Sequence, residues 1–429
     1  MNTSIFKGSV IVFSLILLGK ALSFYRDVLI SKFFGSDYLT DAYFAANNIP
    51  SILFAAIISS FLVLITPIYS KIVTESGKTS ADLFISKLIN IFLLFTITLS
   101  VCAYVFMPYL IKLVGSGFEK KTLSEAIQMG QILVLSFPFS SITMILATVS
   151  VINNKFYALN IIPVLSSLLT IFGIVYFSEK WGIYALIWFA LIAFIIQIFI
   201  QIFISRNDFK YSFNFNFNDK NVKTIFWLVL PIFLGYSVDQ INLLVNTNIS
   251  SGLKVGSLSN LNYAIRLQAT IIGTISTAVM TVIYPIISRL YSENKNQEFI
   301  KLIKEGVIGV TLILLPLLIF LFFNSKPLVS MVYYRGDFDE NALNSTSEIF
   351  TFYVLAVIFI AIREILLRVF YIQNNVRTPL VISLISMLLN IVLSFYLVKY
   401  FDVSGLALAN LIATILSFVL IYISFTKNL

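Results

Sequence analysis

Runs of twenty or more apolar residues recur about twelve times along this chain, and no other feature restricts its folding as much. In hydrocarbon every peptide N–H and C=O must find a partner inside the protein, which makes the helix the expected element for each run. The runs lie roughly at 8–34, 43–72, 83–114, 125–153, 156–177, 181–205, 222–251, 258–289, 299–324, 345–373, 378–400 and 404–426. Several exceed the ~20 residues that a span needs, so tilt or extension into the headgroup region is expected. With 59% of 429 residues hydrophobic and 11% charged, the expected class is an all-α polytopic membrane protein. The 41 Phe and 21 Tyr suit lipid-facing surfaces and the interfacial belt, and so require no cofactor.

Composition also removes whole classes of chemistry. Histidine is absent and Cys102 is the single cysteine, which excludes disulfide frameworks, Cys/His zinc sites and His-dependent catalysis; the chain reads as a non-enzyme. The net charge of +9 comes from lysines scattered over short loops, a pattern of membrane topology rather than nucleic-acid binding. Ahead of the first run only Lys7 is charged, and no small-residue cleavage motif follows, so that run reads as a retained helix. Inner loops then hold about 15 Lys/Arg against about 9 outside, which places both termini in the cytoplasm.

The longest connection, polar and basic, separates the sixth and seventh runs. It divides the chain into a six-helix lobe at 1–206, a cytoplasmic linker at 207–221 and a second six-helix lobe at 222–429. The halves resemble each other. Thr66-Pro67-Ile68-Tyr69-Ser70-Lys71 has a counterpart in Tyr284-Pro285-Ile286-Ile287-Ser288-Arg289, and Ile152-Asn153-Asn154 one in Ile372-Gln373-Asn374-Asn375, both about 220 residues on. Six is even, so the repeats share an orientation and are expected to be related by a pseudo-twofold along the membrane normal, as in transporters that rock two lobes around a central site.

Charge inside a bilayer costs several kcal/mol unless paired or solvated, which makes each intramembrane ionisable residue a functional candidate. The first run carries Lys20, Ser23 and Asp27 at i, i+3 and i+7, with Arg26 on the flank of the same stripe. Lys20 either snorkels or is left available to an anion, and Arg26 and Asp27 lie nearer the helix end, where ordinary interfacial charges are also found. Arg266, deep in the eighth run, is the side chain best shaped for bidentate phosphate binding. Asp41 opens the second helix and reads equally as a cap. Lys254 reads as a solvated loop lysine or an anion lure. Arg363, Glu364 and Arg368 carry opposite charges that can satisfy one another. Asp239, a lone mid-helix carboxylate, needs a cation, a proton or a basic partner; Asn390, Ser394 and Asn410 offer hard oxygen ligands of the kind that suit Na⁺, or alternatively hydrogen bonds between helices.

These residues also sit in longer matches. Leu22-Ser23-Phe24-Tyr25-Arg26-Asp27, Phe34-Gly35, Thr40-Asp41-Ala42-Tyr43-Phe44, Asn262-Tyr263-Ala264-Ile265-Arg266, Tyr334-Arg335-Gly336-Asp337-Phe338 and Arg377-Thr378-Pro379 together resemble the MurJ (mouse virulence factor) family of lipid II flippases, in order and over nearly the whole chain. The resemblance implies a multidrug/oligosaccharidyl-lipid/polysaccharide exporter fold. It implies that Lys20, Ser23, Arg26, Asp27, Asp41 and Arg266 line a cavity that receives the diphosphate and sugar of a polyprenyl-linked precursor, and that Asp239, Asn390, Ser394 and Asn410 fall where some members hold Na⁺. Departures are visible as well: Phe54, Ala55 and Ser59 stand where the family carries two arginines and a glutamate, Lys20 replaces an arginine, Ser394 replaces an acidic residue, and about twelve helices are present where many members have two more.

The expected function is therefore a flippase for an undecaprenyl-diphosphate-linked glycan, lipid II foremost, working as a monomer in the bacterial cytoplasmic membrane by alternating access for peptidoglycan synthesis. Its expected partners are the lipid-linked oligosaccharide and membrane lipids, with Na⁺ as a candidate coupling ion beside a proton relay, and no other cofactor. Competing readings are an O-antigen or capsule repeat-unit flippase, an ion-coupled drug exporter, a membrane glycosyltransferase and a non-transporting scaffold. A drug exporter for cations would favour an acidic cavity, and a glycosyltransferase would need paired carboxylates or a large outer loop. The outer segment at 325–344 is too short for the latter.

Overall fold

The computed structural model describes the backbone of residues 3–216, 219–373 and 375–427; the side chains of 3–9, 54–63, 220, 226, 229–239 and 274–282 lie outside the description. All twelve apolar runs are helical. The helices are α1 (Thr3–Phe34), α2 (Tyr38–Pro50), α3 (Ala56–Val105), α4 (Met107–Val114), α5 (Lys120–Val134), α6 (Phe137–Ile152), α7 (Tyr157–Trp181), α8 (Tyr184–Ser205), α9 (Lys220–Ser251), α10 (Ser257–Ser292), α11 (Asn296–Phe323), α12 (Ser325–Tyr333), α13 (Glu340–Ile372), α14 (Arg377–Phe401) and α15 (Ser404–Lys427). Among the described residues, eight helical segments are long and apolar enough to cross a membrane on length and composition.

Sequence explains the interruptions. Pro50 has no N–H to give to the preceding turn, and the ladder widens into a π-helical turn at Ser51–Ala55 before α3 resumes. Within α3, Gly77 adopts φ 80°, ψ 170°, a conformation open to glycine, and there the chain breaks between the second and third runs. Side chains from both parts of α3, among them Ile65, Tyr69, Ile85 and Leu88, then share one buried cluster.

Helix starts recur. α9, α10, α12, α13, α14 and α15 begin about 220 residues after α1, α2, α4, α5, α7 and α8 respectively. The recurrence extends to a single backbone conformation: α7 ends at Gly182 with φ 54°, ψ −143°, and α14 ends at Asp402 with φ 51°, ψ −140°. The end of α14 thus places a carboxylate-bearing residue in a region essentially reserved for glycine.

The chain forms two compact units, residues 1–34 with 38–244, and residues 35–37 with 245–429. In the first, the connection from α8 to α9 is a strap laid along α3. Lys210 N donates to Asp82 Oδ2 at 3.2 Å, Ser212 N to Ser86 Oγ at 3.1 Å, and Asn90 Nδ2 to Asn214 O at 2.8 Å. Four helical residues rise ~6 Å and two extended residues ~6.6 Å, so every second strap residue meets every fourth residue of α3. Tyr211 Oη adds a bond to Asn90 Oδ1 at 2.6 Å. Lys87 closes the strap on Asp219 at 2.8 Å, and Asp219 also accepts from Asn221 N and Val222 N at the start of α9. Burial alone would raise the Asp219 carboxyl; Lys87 and the α9 amides outweigh it and hold the group below its ordinary range. Val222 and Ile225 of α9 enter the same core as α3, which ties the start of α9 to the first unit.

In the second unit, Ile287, Phe299, Leu366, Phe370, Ile382 and Phe425 join α10, α11, α13, α14 and α15 in one cluster. Elsewhere in that unit Tyr263, Tyr333 and Phe338 are fully buried with ring centroids 5.1–5.8 Å apart. Tyr263 Oη donates to Gly35 O at 2.7 Å, and Ser36 Oγ lies 2.7 Å from Asn260 Oδ1. A Cβ on Gly256, where φ is 87°, would come within 2.6 Å of Ser36 O, so this approach of two backbones requires glycine.

Replacing Asp402 by glycine is expected to stabilise the protein by about 1–3 kcal/mol, because strain at this backbone is relieved while the exposed contact to Lys254 at 3.7 Å contributes little. A thermal-unfolding comparison in detergent measures it; an unchanged or lowered midpoint for Asp402→Gly would show that the backbone there is not strained.

Candidate functional site

α1 meets α7 along a seam of small residues. A Cβ on Gly19 would sit 3.5 Å from Pro163, and one turn on, Ser23 Oγ lies 3.0 Å from Ser167 Oγ. The next turn brings Asp27, which is buried, and its carboxylate takes Arg26 Nε at 3.2 Å and Nη2 at 3.0 Å. A flexible guanidinium stem lets Arg26 turn back to the adjacent residue, although i, i+1 positions do not normally face one another on a helix. The Arg26 side chain is still 21% exposed, and Lys20 lies on an exposed face of α1. Ser23, read as a cavity residue, has its hydroxyl on α7.

Asp41 falls in the first turn of α2, 4% exposed. Unpaired amides at a helix N-terminus favour a carboxylate there.

In the second unit, one face of α10 is buried through Leu261, Tyr263, Ala264, Leu267 and Gln268, whose Nε2 donates to Tyr353 O at 2.8 Å. Arg266 falls on the other face, with Asn262, Ala269 and Thr270, and is partly exposed. The packing of α10 on α13 therefore fixes the side from which Arg266 is reached.

The four oxygen-ligand candidates divide. Asn390 and Ser394 are buried on α14, with Ser394 Oγ 3.5 Å from Asn390 Oδ1. Ser386, one turn earlier, bonds Ala413 O of α15 at 2.8 Å, so this stripe of α14 faces α15. The Asn390 amide nitrogen is buried without a hydrogen-bond partner among the described residues. Asn410 is only partly buried on α15. The Asp239 side chain lies outside the described residues. Among those residues no three acidic, His or Cys side chains gather. Asn390 and Ser394 supply neutral hard oxygens of a kind that suits Na⁺.

Phe54, Ala55 and Ser59 also have side chains outside the description. Sequence reasoning missed three amides of α9: Gln240 Oε1, Asn242 Oδ1 and Asn246 Oδ1 are buried without partners among the described residues. The run Gln240-Ile241-Asn242 followed by Asn246-Thr247-Asn248 in a spanning segment was the available signal. It also missed Lys87–Asp219, because the register of the strap is not visible in sequence.

Together the helices define a multi-pass, all-helical membrane protein. A multidrug-resistance MATE transporter of the MOP superfamily in an inward-facing conformation superposes on it with a TM-score of 0.75 at 12% identity, over 98% of this chain and 97% of that one, a likeness of fold. A family model, lipid II flippase MurJ, matches residues 30–429, and the chain belongs to that family. It is 31% identical to the probable lipid II flippase MurJ of Buchnera aphidicola from Schizaphis graminum, over 98% of this chain and 83% of that protein. With the probable lipid II flippase MurJ of Aquifex aeolicus it shares 27% over 98% and 83%. A solved lipid II flippase MurJ in an inward closed conformation matches with a TM-score of 0.85 and 29% identity, covering 98% of this chain and 87% of that one.

Proposed function

We propose that this protein carries lipid II, an undecaprenyl-diphosphate-linked glycan, from the inner to the outer leaflet of the bacterial cytoplasmic membrane, for peptidoglycan synthesis. Membership of the MurJ family supports the substrate class. The observation that carries the mechanism is the placement of intramembrane cations on faces that the helix packing leaves open: Lys20 and Arg26 on α1, and Arg266 on α10. Pairing with guanidinium and ammonium groups compensates the desolvation of a diphosphate, and no covalent chemistry is required. The polyprenyl tail stays in lipid while the head passes.

In this reading the protein works as a monomer of twelve spans with both termini in the cytoplasm, and two six-helix lobes related by a pseudo-twofold alternate access to the head. Asp41, Ser23 and Asp27 shape the surroundings of Arg26. Asp239 with Asn390, Ser394 and Asn410 forms the Na⁺ site, whose occupancy would reset the cycle.

In bacteria depleted of their own flippase, the wild-type chain is expected to restore growth, and Arg26→Ala and Arg266→Ala each to lose at least about tenfold in plating, the loss expected for a charge-assisted bond to a phosphate. Full rescue by both variants at equal expression would rule out the cationic mechanism. For the ion, Asp239→Asn is expected to remove the dependence of transport on Na⁺; an unchanged Na⁺ response would remove the ion site and leave the flippase reading in place.

A further inference from the structure

α13 presents a second cationic cluster that the reading above does not use. Its buried face holds Ala361, Ile365, Leu366, Val369 and Phe370, and its partly exposed face carries Arg363, Glu364, Leu367 and Arg368, ending in Tyr371. Arg363 lies nine residues before the helix end at Ile372, about 14 Å into the span, and Arg368 about 6 Å. Two guanidiniums at this depth share one carboxylate, and they share it poorly. Arg368 Nη2 is 3.4 Å from Glu364 Oε2, and Arg363 Nη2 is 4.0 Å from Oε1, both beyond the usual length of a charge-assisted bond. Arg363 Nη1 reaches the Ser417 hydroxyl of α15 at 3.3 Å. The Nε–H groups of both arginines are buried and have no hydrogen-bond partner among the described residues.

The local sum is one positive charge in excess and two orphaned donors. In a membrane-spanning helix the excess charge does not persist without compensation, since an unpaired charge carries a desolvation penalty. Mutual satisfaction, the plain reading of this trio in sequence, would require short bidentate contacts that the geometry does not provide. What fits is one more anion. The two Nη groups of a guanidinium also form a fork that matches two oxygens of a phosphate, and the side chains are 27–31% exposed, so a ligand can reach their open edge.

We infer that Arg363 and Arg368 form a phosphate-binding site on α13, with Glu364 between them as the competing internal anion. Its ligand is a phosphate carried by an amphiphile, either the polyprenyl diphosphate of a transported lipid or the headgroup of an anionic phospholipid. Glu364 makes the site exchangeable: it holds the arginines loosely when no ligand is bound and yields them to a better acceptor.

The test is native mass spectrometry of the purified full-length protein in neutral detergent, titrated separately with undecaprenyl diphosphate, phosphatidylglycerol and phosphate-free diacylglycerol. Arg363→Gln/Arg368→Gln is expected to weaken retention of a phosphate lipid about tenfold. Glu364→Gln is expected to tighten the same lipid, an opposite shift that general damage to α13 would not produce. Loss confined to undecaprenyl diphosphate assigns the site to the transported head, and loss confined to phosphatidylglycerol assigns it to a bound phospholipid; each supports the site. Unchanged retention of both lipids, or an equal change for diacylglycerol, overturns it. Should the double variant fail to fold, Glu364→Gln decides alone: tighter binding sustains the site, and equal or weaker binding overturns it. Retention is read without transport, so failure here leaves the flippase reading standing, and failure of complementation leaves this site standing.

Discussion

Hydrocarbon gives a peptide group nothing to bond, and the organisation of this chain follows from that. Every apolar run becomes a helix, and polar side chains within the runs turn to neighbouring backbone for partners. Gln201 Nε2 donates to Ala158 O at 2.7 Å, and Gln268 Nε2 to Tyr353 O at 2.8 Å. Small residues bring helices near enough for such bonds, as Gly19 and Ser23 do for α1 on α7. The same rule makes the exceptions informative. Asn390 Nδ2, Gln240 Oε1, Asn242 Oδ1 and Asn246 Oδ1 of α9 and the Nε atoms of Arg363 and Arg368 are buried polar atoms that the described residues leave unsatisfied.

Charge obeys a stricter version of the rule. In the first unit Asp27 takes Arg26, which buries the carboxylate and leaves part of the guanidinium accessible, while Lys20 stays on an open face. In the second, Arg266 lies opposite the buried side of α10. A lipid diphosphate is an anion that arrives with its own tail for the bilayer, and cations held on open helix faces suit such a ligand. The strap along α3 serves a different purpose. It is built from hydrogen bonds to Asp82, Ser86 and Asn90 plus Lys87–Asp219, and it fixes where α9 begins.

Helices were legible in sequence because length and hydropathy decide them, and the twelve runs all emerged as helix. The segments around Pro67 and Pro285 resemble each other in sequence, and helix starts recur at a spacing of about 220 residues. Features set by tertiary register were not legible. Arg26 bonding its own neighbour depends on which way a flexible stem turns; Asp82, Ser86 and Asn90 meeting Lys210, Ser212 and Asn214 depends on an extended segment lying along a helix. The Arg363, Glu364 and Arg368 trio shows the remaining kind of gap: sequence gives the charges, and only distances of 3.4–4.0 Å reveal that they do not neutralise one another well.

The central claim is that this chain moves lipid II between leaflets, and the leaflet distribution of lipid II tests it most directly. In cells depleted of their own flippase and expressing this chain, lipid II is expected to become accessible at the outer face while the inner-leaflet pool falls to the level of undepleted cells. Retention of lipid II in the inner leaflet at the level of an empty vector, with the protein present in the membrane at normal abundance, would contradict it.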